Sequence, residues 1–414
     1  MKHLFHIVLI IVVSVTLLAC TEDFLTKEVM PSNLATDATN SQGLASISKI
    51  ETLPQDSYIV VYKDDVNDQE IADEIFDLER TEKIKADHVY NKAIKGYSAI
   101  LTASALAKIK QNMRVAYVEK DQIMRINLLT SFNPAWGLDR IDQVNLPLSN
   151  AFSYTSNGSG VDAYVIDTGI LLSHADFGGR AVGGFSSIGL ATNWIDQNGH
   201  GTHVAGILGG TDYGVAKNVN LIAVRVLDAS GSGSTSGVIA GINWAINHHS
   251  SRPAVANMSL GGGASSALDL AVSNAVKDGI VMCVAAGNNA ADASRYSPAR
   301  VKTAITVGAT GSYPILGLNY DVFATYSNYG TLVDILAPGS LILSDWITSS
   351  TATAVLSGTS MATPHVAGVS ALYLSSNINA LPAQVETFIK SSSTKNKITG
   401  LKGSTSNSLL FTNL

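Results

Sequence analysis

From about residue 133 onward, short apolar runs alternate with longer segments of helical periodicity, and this alternation points to a parallel sheet covered by helices on both faces. Strands are expected at Ala163 to Ile166, Leu221 to Leu227, Val255 to Leu260, Ile280 to Ala286 and Ile305 to Ala309. Helices are expected between them, at Ser236 to Asn247 and Ser266 to Lys277, each opened by serines able to accept the free N–H groups of a first turn. In an open sheet of this kind, functional residues gather at the carboxyl ends of the strands.

A second, smaller unit precedes it. Tyr58 to Tyr62 reads as a strand, Ile71, Ile75 and Leu78 fall on one face of a helix, and Gly96 to Leu101 alternates. Thr102 can cap a short helix carrying Leu106 and Ile109, and Val115 to Val118 reads as a further strand. Strand, helix, strand, helix, strand suggests a small ferredoxin-like α+β sandwich. The 414 residues therefore divide into a leader at 1–20, a polar tether at 21–55, a small domain at 56–126 and a large one at 127–414. The tether is rich in Ser, Thr, Asn and Asp and shows no sustained periodicity.

The leader runs apolar from Leu4 to Ala19 behind Lys2, too short to span a bilayer comfortably and suited to a signal peptide, so export is expected. It ends Leu17-Leu18-Ala19-Cys20, which resembles a bacterial lipobox and makes Cys20 a candidate for lipidation. The other cysteine, Cys283, sits in an apolar run and reads as a small buried hydrophobe, so no disulfide stabilises this exported chain. A net charge of -6 without Lys/Arg clusters argues against a nucleic-acid partner.

Three segments place a reactive side chain beside a strand end or a helix start. In Val165-Ile166-Asp167-Thr168-Gly169 a carboxylate follows a buried strand. In Asn198-Gly199-His200-Gly201-Thr202-His203, glycines let backbone and ligand approach a histidine closely. Two histidines three apart could also hold a metal, although a zincin needs a glutamate after the first and a longer spacing. In Gly358-Thr359-Ser360-Met361-Ala362-Thr363-Pro364-His365, Ser360 begins a helix whose proline is tolerable only near the first turn, which puts the serine at the positive end of the dipole. Taken singly, these could be a turn aspartate, a metal ligand and an N-cap.

Together, and in this order, they resemble the signatures of the subtilisin superfamily. The resemblance implies a catalytic triad of Asp167, His200 and Ser360, with His203 and His365 structural. It assigns Asn288, in Ala285-Ala286-Gly287-Asn288-Asn289, to the oxyanion hole together with the Ser360 N–H. Ala135-Trp136-Gly137-Leu138-Asp139-Arg140-Ile141, Tyr296-Ser297-Pro298-Ala299 and Ala337-Pro338-Gly339 narrow it to the proteinase K type, over nearly everything from Asn133 to Leu414, with no separate C-terminal binding domain expected.

By the same resemblance, substrate would lie between Gly231-Ser232-Gly233 and Ser259-Leu260-Gly261-Gly262 as an added strand, with Ala285, Ala286 and Gly287 leaving room for a large apolar P1 side chain. Asp334 with the carbonyls of Lys302 and Ala304 matches a calcium site, a structural ion that the chemistry itself does not require. Residues 58–126 resemble the inhibitor-type propeptide of subtilases, so a self-processing zymogen is expected, cleaved between Arg125 and Asn133 and monomeric as the family usually is. The alternatives are a subtilase fold that only binds peptides, and a metal-dependent hydrolase built on His200, His203, His248 and His249.

Overall fold

The computed structural model describes residues 53–126, 129–130, 136–315 and 318–414. The expected signal peptide, Cys20 and nearly all of the tether lie outside the described residues, as does most of the segment expected to carry the processing site.

The small domain is built from β1 (Ser57–Tyr62), α1 (Asp68–Glu82), β2 (Ala86–Tyr90), β3 (Gly96–Ile100), α2 (Ala103–Gln111) and β4 (Val115–Lys120). Asn67 opens α1 with a capping box: its side chain accepts the Glu70 N–H at 3.0 Å and the Glu70 carboxylate accepts the Asn67 N–H at 3.0 Å. Thr102 caps α2 by accepting from Ala105. The sheet runs β2-β3-β1-β4, all antiparallel, the ferredoxin-like order. One strand, β2, is absent from the sequence expectation, because its alternating Asp87 and His88 disguise a half-exposed edge strand. After β4 the chain turns into a short strand, β5 (Ile123–Arg125), which leaves the small domain altogether.

The large domain follows with β6 (Asp162–Asp167), β7 (Ala181–Ser186), α3 (His200–Gly209), β8 (Asn220–Arg225), β9 (Ser232–Ser234), α4 (Thr235–His248), β10 (Ala254–Met258), α5 (Ser266–Lys277) and β11 (Ile280–Ala285). Then come β12 (Ile305–Ile315), β13 (Leu318–Phe323), β14 (Ile335–Pro338), β15 (Ile342–Asp345), β16 (Thr353–Ser357), α6 (Thr359–Ser376), α7 (Pro382–Ser392), β17 (Thr394–Lys395) and β18 (Ser408–Leu409). The main sheet runs β17-β18-β14-β12-β11-β10-β6-β8-β7, parallel except where β17 meets β18, with β13 folding back antiparallel on β12.

Both faces are buried, which explains the uninterrupted apolar runs. Along β6, Ala163 and Val165 pack with Val204, Leu208 and Val366 from α3 and α6. Tyr164 and Ile166 pack on the other side with Val238, Ile242 and Val272 from α4 and α5. Strand order reverses between β6 and β10, so a crevice opens at their carboxyl ends, where Asp167 and Ser259 lie.

The small domain sits over α4 and α5 and completes their first turns. Asp121 accepts the Ser236 N–H at 3.0 Å, and Glu119 accepts from the Ser265 hydroxyl and, at 2.9 Å, from the Ser266 N–H. Each carboxylate stands at the positive end of a helix, where donors lack intrahelical partners. Asn243 closes the contact from the other side by accepting the N–H groups of Lys92 and Ala93 at 2.8 and 3.0 Å.

Candidate active site

Asp167 ends β6 and His200 begins α3, and both are fully buried. Asp167 Oδ1 lies 2.7 Å from His200 Nδ1 and also accepts the Thr168 N–H at 2.7 Å. A carboxylate can only accept, so Nδ1 carries the hydrogen and Nε2 keeps its lone pair. Among the described residues, His200 Nε2 has no hydrogen-bond partner.

The approach of these two elements depends on glycine and on an aspartate not picked out from sequence. A Cβ on Gly201 would fall 2.2 Å from the Gly169 carbonyl oxygen, and one on Gly199, where φ is +109°, would meet the Trp346 ring at 2.6 Å. Asp196 then ties the turn to the helix. Its Oδ1 accepts the Thr168 hydroxyl and the N–H groups of Asn198 and Gly199, each at 2.9 Å, and its Oδ2 accepts the Thr202 N–H and hydroxyl. The signal for it was an aspartate three residues before a helix-opening glycine, a pattern suited to capping.

Ser360 is the second residue of α6, which packs against α3, and its Oγ donates to the Ser259 carbonyl at 3.2 Å. Pro364 sits six residues into that helix, beyond the first turn to which the sequence reading confined it. The placement is tolerated because the carbonyl that a residue 364 N–H would have bonded, that of Ser360, accepts the Ser259 hydroxyl at 2.8 Å instead. Asn288 follows β11, and its Oδ1 accepts both the Thr359 N–H and hydroxyl at 2.9 Å. Those two bonds fix the carboxamide on the wall of a cavity of about 330 Å³ that Ser360, Leu260, Ala285, Ala286 and Gly287 also line. Tyr296 and Ala299 also line it; in the sequence they stand out only as part of the family resemblance.

The two glycine-rich segments lie on either side of the chain's own residues 123–126. Strand β5 pairs antiparallel with β9, placing Arg125 opposite Ser232 and Met124 opposite Gly233. On the other side the Arg125 N–H donates to the Gly261 carbonyl at 3.1 Å and the Gly261 N–H returns to Arg125 at 3.3 Å. The Ile126 N–H donates to Gly231 at 3.2 Å. Met124 is fully buried against Gly262, whose missing Cβ leaves room for its sulfur.

The other histidines singled out in the sequence, His203, His365, His248 and His249, have partners of their own. His203 Nε2 lies 3.2 and 3.0 Å from the carbonyls of Ile342 and Ala354, and burial lowers its pKa to about 3. His365 Nδ1 lies 2.8 Å from the Met361 carbonyl, and burial lowers its pKa to about 4. His248 meets the Tyr164 hydroxyl and His249 meets Asp278. Among the described residues no three His, Cys, Asp or Glu side chains converge as a metal would require. At Asp334, Oδ2 accepts the Thr306 N–H and Oδ1 accepts the Lys390 ammonium, both at 2.9 Å. With an ammonium already on its one carboxylate, this group does not fit the calcium site expected there with Lys302 and Ala304.

A family model described as the subtilase family, Peptidase S8, matches residues 158–407. The chain belongs to the subtilase family. The small domain of this subtilase matches a second model, peptidase inhibitor I9, over residues 57–127. The subtilase is 52% identical over 332 residues to the extracellular serine proteinase of Thermus sp. (strain Rt41A), covering 80% of this chain and 78% of that one. It is 50% identical over 333 residues to the alkaline serine exoprotease A of Vibrio alginolyticus, covering 79% of this chain and 60% of the relative's length. A crystal structure of a cold adapted subtilisin-like serine proteinase superposes with a TM-score of 0.64 at 50% identity, over 68% of this chain and all of that one.

Proposed function

We propose that this subtilase is an exported serine endopeptidase made as a self-processing zymogen, with Asp167, His200 and Ser360 as its triad. The observation that carries the reading is the buried Asp167–His200 pair with an unpartnered Nε2, in a domain whose glycine-rich segments already hold an extended segment of the chain's own inhibitor domain. A serine hydroxyl is a weak nucleophile at its free pKa, so His200 Nε2 takes its proton as Oγ attacks a peptide carbonyl. Asp167 holds the imidazole in the required tautomer and stabilises the imidazolium, which then protonates the leaving amine. The Asn288 amide and the Ser360 N–H meet the oxyanion, and water releases the acyl group by the same steps in reverse.

Main-chain bonding on both walls tolerates many sequences, and a small-walled cavity suits aromatic or aliphatic P1 residues, so cleavage is broad. Arg125 lies opposite Gly261, two residues from Ser259, whose carbonyl accepts from Ser360 Oγ, so the bond cleaved is expected two residues beyond Arg125. Self-cleavage then follows Asn127, which asks the pocket to admit a small polar side chain as well. Export rests on the leader and on the extracellular Thermus relative. Lipidation rests on Leu17-Leu18-Ala19-Cys20 alone, and would leave the anchor with the propeptide on maturation. The test is casein hydrolysis and N-terminal mass spectrometry of wild type beside Ser360→Ala. Wild type should begin at residue 128 and digest casein while the variant stays full-length and inert; equal inertness after removal of the inhibitor domain in trans would favour a peptide-binding protein.

A further inference from the structure

Behind the helix that carries His200 lies a second buried cluster, which the mechanism does not use. Asp345, the last residue of β15, is fully buried, and Asp176 lies in the turn of residues 175–177. Both carboxylates press on α3 where glycine leaves its surface bare. A Cβ on Gly206 would come 2.7 Å from Asp345 Oδ2, and one on Gly210, a turn later, 2.0 Å from Asp176 Oδ2. Next to these contacts, the Ser344 hydroxyl donates to the His203 carbonyl at 2.8 Å, joining β15 to α3 directly.

The cluster is short of donors. Among the described residues, neither oxygen of Asp345 nor Oδ2 of Asp176 receives a hydrogen bond; only Asp176 Oδ1 has one, from the Asp212 N–H at 2.6 Å. His174 Nδ1 is 3.4 Å from Asp345 Oδ1 but accepts the Asp176 N–H, also at 3.4 Å, while its Nε2 hydrogen points to the Ala352 carbonyl at 3.0 Å. Arg180 donates to the carbonyls of Gly209, Val219 and Asp176 and to the Thr211 hydroxyl, and Lys217 to the carbonyls of Thr211 and Asp212. Neither cation reaches a carboxylate of the pair, and the other ionisable neighbours, Asp212 and Tyr213, only add acidic groups. Burial of both carboxylates with almost no donors disfavours ionising the two at once.

We propose that Asp345 and Asp176 share one proton as a buried acid–carboxylate clamp holding α3 against β15, and that loss of this proton sets an alkaline limit on the stability of the fold. Burial, reinforced by Asp176, pushes the Asp345 carboxyl up to about 8. An unfolded aspartate gives up its proton near pH ~4. The folded state therefore binds the proton more tightly, and the stability it contributes is complete below pH ~4 and is lost as pH rises towards 8. The clamp touches no substrate; it acts on the seating of His200.

The experiment is thermal unfolding of the full-length Ser360→Ala chain, which cannot digest itself, at fixed scan rate from pH 4 to 9, with and without Asp345→Asn. An amide matches the shape of a protonated carboxyl, so the two melting curves should coincide at pH 4 and diverge upward, the Asp345→Asn chain melting roughly 5–10 °C higher at pH 9. Asp176→Asn relieves the same crowding and should flatten the pH dependence in the same direction. Parallel curves across the range, or a uniform loss in both variants, would overturn the proposal. So would a calcium-induced rise in melting temperature that Asp345→Asn abolishes, since the cluster would then be a cation site.

Discussion

Replacing Asn288 separates what that side chain does for the ground state from what it does in the transition state. In the resting protein its Oδ1 accepts two hydrogen bonds from Thr359, each 2.9 Å long, and Asn288→Ala removes both. Each stranded donor on the fully buried Thr359 costs about 1–3 kcal/mol, so the fold should lose roughly 2–6 kcal/mol. The amide donor aimed at a forming oxyanion contributes about 3–4 kcal/mol; that magnitude was established on a subtilisin and is carried over within the family. At saturating substrate, kcat should therefore fall 10²–10³-fold with KM nearly unchanged, and the melting temperature should fall by several degrees. Asn288→Asp keeps an acceptor for Thr359 but replaces the donor with a negative charge, and should be slower than the alanine variant. Steady-state kinetics on a chromogenic peptide, after removal of the inhibitor domain, reads both. A loss below tenfold, or one that falls in KM, would refute the assignment.

Two further outcomes follow from the cleft and the core. Met124→Ala empties a fully buried site on strand β5, which costs at least about 2 kcal/mol, so the inhibitor domain should bind the mature enzyme at least ~30-fold more weakly, as measured by its inhibition constant. Arg140 is fully buried and holds Asp321 with two 2.8 Å bonds; Arg140→Ala strands that carboxylate and should cost about 3–5 kcal/mol in denaturant unfolding, whereas Arg140→Met with Asp321→Leu should recover most of it.

The large domain's central strands were legible because a sheet buried on both faces leaves few polar positions in β6, β10 or β11. Where that condition fails, the sequence signal fails with it. Strand β7, Ala-Val-Gly-Gly-Phe-Ser, carries glycines that read as loop; they are there because a Cβ on Gly183 would collide with the Trp194 ring at 2.0 Å and one on Gly184 would meet Trp244 at 2.6 Å. The hairpin of β12 and β13 extends well past the apolar Ile305 to Ala309, through Gly and Pro positions that carry no strand pattern.

At the site, the residues named from sequence are those that a motif isolates: a carboxylate after a strand, a glycine-flanked histidine, a serine at a helix start. Asp196 was missed because it lies before its motif and acts through N–H and hydroxyl groups of the neighbouring turn and helix. Asp345 was missed because one aspartate at the end of a strand looks exposed until α3 and residues 175–177 close over it. The position of Pro364 was misjudged because the hydroxyl that compensates it, Ser259, comes from a segment 101 residues before Ser360 in sequence.

A Ser360 hydroxyl activated by the Asp167–His200 pair should react selectively with a sulfonyl fluoride, and peptide mapping of the treated mature enzyme reads the outcome. A single adduct is expected, on the peptide carrying Ser360, and none in His200→Ala under the same conditions. An adduct at another serine, or equal labelling of Ser360 without His200, would contradict the triad.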